Sequence, residues 1–183
     1  NLVEDLVSTI AITVTGGTEV PFGGSMINLA PPWKRLNLRQ AVQEACGIDF
    51  EDYPDTASLR GKMEQMGLQV DSSKDRGRLV DELVSTYVEP KLIQPTFLLD
   101  YPVEMSPLAK RKPDNPRLVE RFEAFIGTME VANSFTELND PVDQEGRFRH
   151  QIENRVPSEE VGETIDDDFI QALKYGMPPT GGL

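Results

Sequence analysis

The chain is poor in the residues that most often carry reactive chemistry: its 183 positions hold one cysteine, Cys46, and one histidine, His150. A lone cysteine excludes an internal disulfide framework and fits a reducing, cytoplasmic setting. Cys46 falls on the apolar side of an expected helix and reads as a small buried hydrophobe. His150 has no nucleophile at an obvious partner position, so it reads as a surface or helix-packing residue rather than a catalytic base. Positive charge is scarce too, with 18 Lys and Arg against 31 Asp and Glu and a formal net charge of −13. An acidic surface repels phosphate backbones, which argues against a nucleic-acid-binding face here. No apolar run approaches the length of a membrane span. The opening residues, Asn1-Leu2-Val3-Glu4-Asp5, lack an initiator methionine and a basic flank. No signal peptide is expected, and Asn1 reads as an internal cut or an ordered boundary.

What is present is ordinary for a globular protein: 38% hydrophobic and 27% charged residues. The length suffices for one good core with a smaller satellite. The carboxylate excess has two readings, solubility or the binding of a cationic ligand or divalent metal, and composition does not choose between them.

The hydrophobic pattern places the elements. Val3, Leu6, Val7, Ile10, Ala11 and Val14 recur at helical spacing over 2–15, and Gly16-Gly17 stops that helix. Glu19 to Leu29, with Gly23-Gly24 at its middle, reads as a short hairpin, and Pro31-Pro32-Trp33 as a boundary. From Asn37 to about Pro90 short helices are expected: one capped by Asn37, one from Ala57 to Met66, one from Gly77 to Val88. Residues 95–101 suit a buried strand, and 119–126 with 129–137 a hairpin about Gly127-Thr128. Asp140-Pro141 opens a helix to about Arg155, a polar loop follows to Gly162, and a last helix runs from Asp167 to Tyr175. The expected class is α+β: an antiparallel core contributed by 1–36 and 94–183, interrupted by a helical insertion at 37–93.

Candidate chemistry concentrates in Met129-Glu130-Val131-Ala132-Asn133-Ser134-Phe135-Thr136-Glu137. On a regular strand Asn133, Phe135 and Glu137 share one face, offering an amide, an aromatic wall and a carboxylate in succession. That set suits a ligand with a polar backbone, an apolar stem and a cationic tip. Glu130 is out of phase, and joining Glu137 at one magnesium ion requires a strong twist or a bulge. A half-exposed strand with polar residues facing water meets the same spacing and is the commoner case. Lys110-Arg111-Lys112 could touch a phosphate but reads more simply as solvated, and Gly181-Gly182 is a weak signal for backbone approach to a ligand.

Four stretches together carry a resemblance: NLAPPWKRL at Asn28–Leu36, PTFLLDYPVEMSPLAK at Pro95–Lys110, MEVANSFTELNDPVDQ at Met129–Gln144, and Ile165–Leu183 with its ALKYGMPPTGGL ending. In this order they resemble the class II lysyl-tRNA synthetases of bacterial type. The resemblance implies the antiparallel catalytic core of that family. It also implies lysine activation with ATP, Mg2+ near the phosphates, and transfer of the lysyl group to tRNA(Lys). It assigns Asn133, Phe135 and Glu137 to lysine and Glu130 and Glu137 to magnesium, and it names no catalytic residue, since no covalent enzyme intermediate is needed. A homodimer is implied for the complete enzyme. The segment matches the region between the family's second and third signature motifs, whose arginines grip ATP, so activity of the piece alone is not expected. Two other readings stay open: a synthetase-like paralogue that lysylates a protein or regulates, and a non-enzymatic acidic interaction module.

Overall fold

The computed structural model describes residues 2–153 and 165–182. The expected polar loop at 155–162, and Arg155 itself, lie outside the described residues.

The first helix, α1, spans Leu2–Thr15 and ends where Gly16 turns left-handed and donates its N–H to the Ile12 carbonyl at 3.0 Å. It buries Val3, Glu4, Ser8 and Ala11 and leaves Leu6, Ile10 and Val14 at 50%, 52% and 76% exposure. Only part of the expected apolar face therefore meets the core. The hairpin β1 (Glu19–Phe22) and β2 (Ser25–Asn28) turns at Gly23-Gly24, both at positive φ, as a two-residue turn matched to strand twist demands.

The boundary expected after Pro31-Pro32 is instead a strand, β3 (Lys34–Asn37). Its charged residues hide it from pattern reading. It exists because it pairs with β4 (Thr96–Leu99) at the sheet edge, and because buried Glu4 accepts hydrogen bonds from the Trp33 N–H at 2.8 Å and from Arg35. Burial raises the Glu4 carboxyl pKa, but those two donors outweigh it and hold the group below its ordinary range.

The main sheet has the order β3-β4-β5-β6-β7, with β5 at Arg121–Ile126, β6 at Met129–Thr136 and β7 at Gly181–Gly182. All its pairings are antiparallel except β3 with β4, which is parallel. Parallel neighbours need a long crossover connection. The segment between them supplies it as α2 (Leu38–Cys46), α3 (Thr56–Gln65) and α4 (Arg76–Leu83), with a π turn over Val84–Val88 and single 3-10 turns at Phe50–Asp52 and Glu89–Lys91. No strand falls within 57–88. Asn37 caps α2 through its side chain, and Asp55 and Asp75 cap α3 and α4 in the same way.

Alternation along β4 sends Phe97 and Leu98 to opposite sides, so the sheet has a core on each face. On one, Val3 of α1 packs with Trp33, Phe97 and Ala124, with Phe97 stacked on Trp33 and edge-on to Phe122. On the other, Leu98, Tyr101 and Phe125 join the helical crossover through Leu38, Leu59, Leu79 and Leu83. Cys46 is only partly buried there, and its thiol donates to the Val42 carbonyl. The helices α5 (Pro141–Glu153, capped by Asp140) and α6 (Asp167–Tyr175, capped by Asp166) pack together beyond the sheet. Among the described residues, no helix is long and apolar enough to cross a membrane.

Candidate functional site

The hairpin of β5 and β6 builds the site, and one irregularity decides its layout. The register runs Arg121 opposite Phe135, Glu123 opposite Asn133 and Ala124 opposite Ala132, then jumps to Phe125 opposite Glu130. Val131 is thus an extra residue, a β-bulge. Directly opposed residues share a face, so the bulge moves Glu130 onto the side that carries Asn133 and Phe135. Arg121, Glu123 and Phe125 come from β5 onto that face.

Glu137 follows β6, where its N–H donates to the Thr180 carbonyl at 2.8 Å and its backbone bridges Ala109. The expected meeting of Glu130 and Glu137 at one ion needs a correction. Seven residues of extended chain, one of them bulged, set the two roughly 20 Å apart, far more than two carboxylates sharing an ion allow. Facing the same way does not bring them together. The carboxylate nearest in register to Glu130 is Glu123, two pairs further along the ladder and the next on the same face. Among the described residues, no group of three or more His, Cys, Asp or Glu side chains is arranged to hold a metal ion.

Around Glu123 the side chains form a closed network. The Tyr101 hydroxyl donates to Oε2 at 2.7 Å, Arg121 Nη2 donates to Oε1 at 2.5 Å, and the Asn133 amide donates to Oε1 at 3.3 Å. Arg121 also donates through Nε to Asn133 Oδ1 at 3.2 Å, and through Nη1 to the Met105 carbonyl at 3.0 Å and Ser106 Oγ at 2.6 Å. Its guanidinium lies 4.7 Å from the Tyr101 ring centre. Burial pushes the Glu123 carboxyl pKa up and the Glu130 charge adds to this, while the Tyr101 and Arg121 hydrogen bonds pull it back. Burial and the Glu123 charge push the Tyr101 phenol up, so it stays protonated as a donor. Burial likewise raises Glu89, with Glu123, Asp81 and Glu130 contributing, which puts a third carboxylate within electrostatic reach. Neither Tyr101 nor the Arg121–Glu123 pair is among the residues expected from sequence. The available signal was a guanidinium and a carboxylate two residues apart on one strand of the expected hairpin, which places both on one face.

A cleft of about 380 Å³ lies beside the network, lined by Leu99, Asp100, Lys112, Glu120, Arg121, Phe122, Ser134, Phe135, Thr136 and Gly181. Of the residues assigned to lysine, only Phe135 lines it. Its floor, Leu99, Phe122, Ser134 and Thr136, belongs to the face that α1 covers in part, whereas the convergent polar groups lie on the opposite face. The candidate site is therefore placed on the Glu123–Asn133 face, because a ligand is selected by polar groups rather than by open volume.

The remaining candidates have structural partners. Arg111 pairs with Asp143 and donates to the Pro116 carbonyl, and Lys112 pairs with Asp100, whose other oxygen accepts from the Asn37 amide. Arg111 and Lys112 of the basic run are thus engaged rather than solvated. Gly181 and Gly182 form the edge strand β7 against Thr136 and Phe135. His150 sits on the exposed side of α5.

The family model for class II tRNA synthetases (D, K and N) matches residues 1–183. The chain is 55% identical over 185 residues to a lysine–tRNA ligase of Dehalococcoides mccartyi (strain ATCC BAA-2266 / KCTC 15142 / 195). It is 50% identical over 182 residues to that of Roseiflexus castenholzii and 45% over 183 to that of Moorella thermoacetica. Each match covers 100% of this chain and 37% of the relative.

Proposed function

Because the chain belongs to the class II tRNA synthetases (D, K and N), we propose that it is the part of a lysine–tRNA ligase that holds lysine and the metal flank of ATP. The complete enzyme, of which this chain spans about 37% of the length of its relatives, would activate lysine with ATP and pass the lysyl group to tRNA(Lys), working as a cytoplasmic homodimer. Residues 37–93 are read as an insertion into its catalytic core. The observation that carries the reading is the face on which the Val131 bulge aligns Glu130 with Asn133 and Phe135, next to the Glu123 network.

On this reading Asn133 meets the polar backbone of lysine, Phe135 covers the apolar stem, and Glu137 supplies the anion that a desolvated ammonium requires. Glu130 and Glu123 would hold Mg2+. The fit is chemical: magnesium keeps several waters and takes one or two carboxylates plus substrate phosphates, so a two-carboxylate flank suffices. When bound, the ion neutralises charge on the phosphates. The chain's own residues hold the lysine carboxylate in line for attack on the α-phosphorus, from which pyrophosphate leaves, and positioning with fixed charge is their contribution.

The test is lysine-dependent pyrophosphate exchange by the full-length enzyme. Glu137→Gln should raise the lysine requirement by on the order of 100-fold or more, since losing one partner of a buried charge pair costs about 3–5 kcal/mol. Phe135→Tyr should stay within about threefold, because the ring still covers the stem. Unchanged lysine use by Glu137→Gln would remove Glu137 from the site.

A further inference from the structure

Asn133 is an exposed amide with both ends engaged from within the protein. Its Oδ1 accepts from Arg121 Nε and its Nδ2 donates to Glu123 Oε1. A guanidinium only donates and an ionised carboxylate only accepts, so these neighbours permit one orientation of the amide. Reversal would set N–H groups against a guanidinium and oxygen against a carboxylate. Each end keeps spare capacity, one lone pair on Oδ1 and one N–H on Nδ2. A donor and an acceptor side by side match the zwitterionic end of an amino acid, whose carboxylate accepts and whose ammonium donates.

We infer that Arg121 is a positioning residue for amino-acid recognition, orienting the Asn133 amide so that one free N–H and one free lone pair face the zwitterion. The inference rests on the reading of this face as the lysine site. Arg121 suits the task because three different nitrogens are committed: Nε to Asn133, Nη2 to Glu123, and Nη1 to the Met105 carbonyl and Ser106 Oγ. A lysine side chain has one compact ammonium and cannot span that fork. The anchors at Met105 and Ser106 stop the guanidinium from following a disturbed amide.

The experiment is a double-mutant cycle in the full-length ligase, with KM for lysine and for ATP and kcat read from pyrophosphate exchange. Arg121→Lys should raise KM for lysine about tenfold while KM for ATP moves less than about threefold. In an Asn133→Ala background the same change should add nothing to KM for lysine, because the group it acts through is gone. A residue that only braces the hairpin would lower thermal stability without that split. If Arg121→Lys does not fold, Ser106→Ala loosens the same guanidinium by one bond and takes its place in the cycle, with a rise of about threefold expected. Additive effects in the cycle, or an unchanged KM for lysine, would overturn the inference and leave the functional reading intact. A full-length parent without lysine-dependent exchange would overturn both.

Discussion

Two carboxylates show how environment divides identical chemistry. Glu123 is buried beside other acids, and its pKa rises. Asp143 sits between Arg147 and Arg111, and hydrogen bonds from Arg147 first, with Arg111 adding to them against the opposing effect of burial, hold its carboxyl to about 2. Arg147 in turn donates to the Ala109 carbonyl at 2.7 Å and to that of Ser106 at 3.3 Å, fastening α5 to the loop that anchors Arg121. The Asp143 pKa is depressed on folding, so its stabilisation is present above the ordinary carboxylate value of 3.8 and is lost as pH falls through about 2. Asp143→Asn should therefore cost roughly 1–2 kcal/mol at neutral pH, discounted for the partial exposure of the pair. The gap between wild type and variant should close as pH drops from about 4 to about 2. Thermal unfolding of the full-length proteins across that range measures it, and a gap that stays constant would show that Asp143 is not held this way.

At the scale of elements, the crossover must dock closely on the sheet's loops for the site to keep its shape. Gly77, near the start of α4, has its Cα so close to the 3-10 turn at Val103–Met105 that an added Cβ would lie 2.9 Å from the Glu104 carbonyl oxygen. Arg76 closes the same contact, donating to the Phe50 and Tyr53 carbonyls and pairing with Glu104. Gly77→Ala should part helix from turn and cost about 1–3 kcal/mol. Gly61, within α3, meets nothing within 4 Å of an added Cβ. Gly61→Ala should accordingly raise stability by about 0.5–1 kcal/mol. Paired melting curves test both, and equal effects at the two positions would refute the close approach. Since Met105 and Ser106 end that turn, Gly77→Ala should also raise KM for lysine, where Gly61→Ala should not.

At the scale of the molecule, both sheet faces are covered only in part. The outer stripe of α1 leaves Leu6, Ile10 and Val14 exposed, and Leu99 and Phe122 on the floor of the 380 Å³ cleft are only half-buried. The chain spans about 37% of the length of the relatives it matches. Residues 1–183 alone should therefore give no detectable lysine-dependent pyrophosphate exchange, since on the family resemblance the arginines that grip ATP lie outside this stretch. Exchange by the isolated segment would refute that account of where the ATP contacts lie.

Local patterns determined most elements. Gly23-Gly24 and Gly127-Thr128 sit at two-residue turns, Asn37, Asp140 and Asp166 cap helices, and the apolar run at Thr96–Leu99 is a buried strand. Such features depend on neighbours a few residues apart, so the sequence displays them, and the resemblance named the family from the same stretches. Three things were decided only in three dimensions. The strand at Lys34–Asn37 exists because Thr96–Leu99 lies beside it, some sixty residues later. Glu130 joins the face of Asn133 because Val131 bulges, and a bulge depends on the register of two strands rather than on the residues of one. Arg121 finds Asn133 across the hairpin and Ser106 across a loop. These are pairings between distant segments, and alternation along a single strand says which side a residue faces without saying what it will meet there.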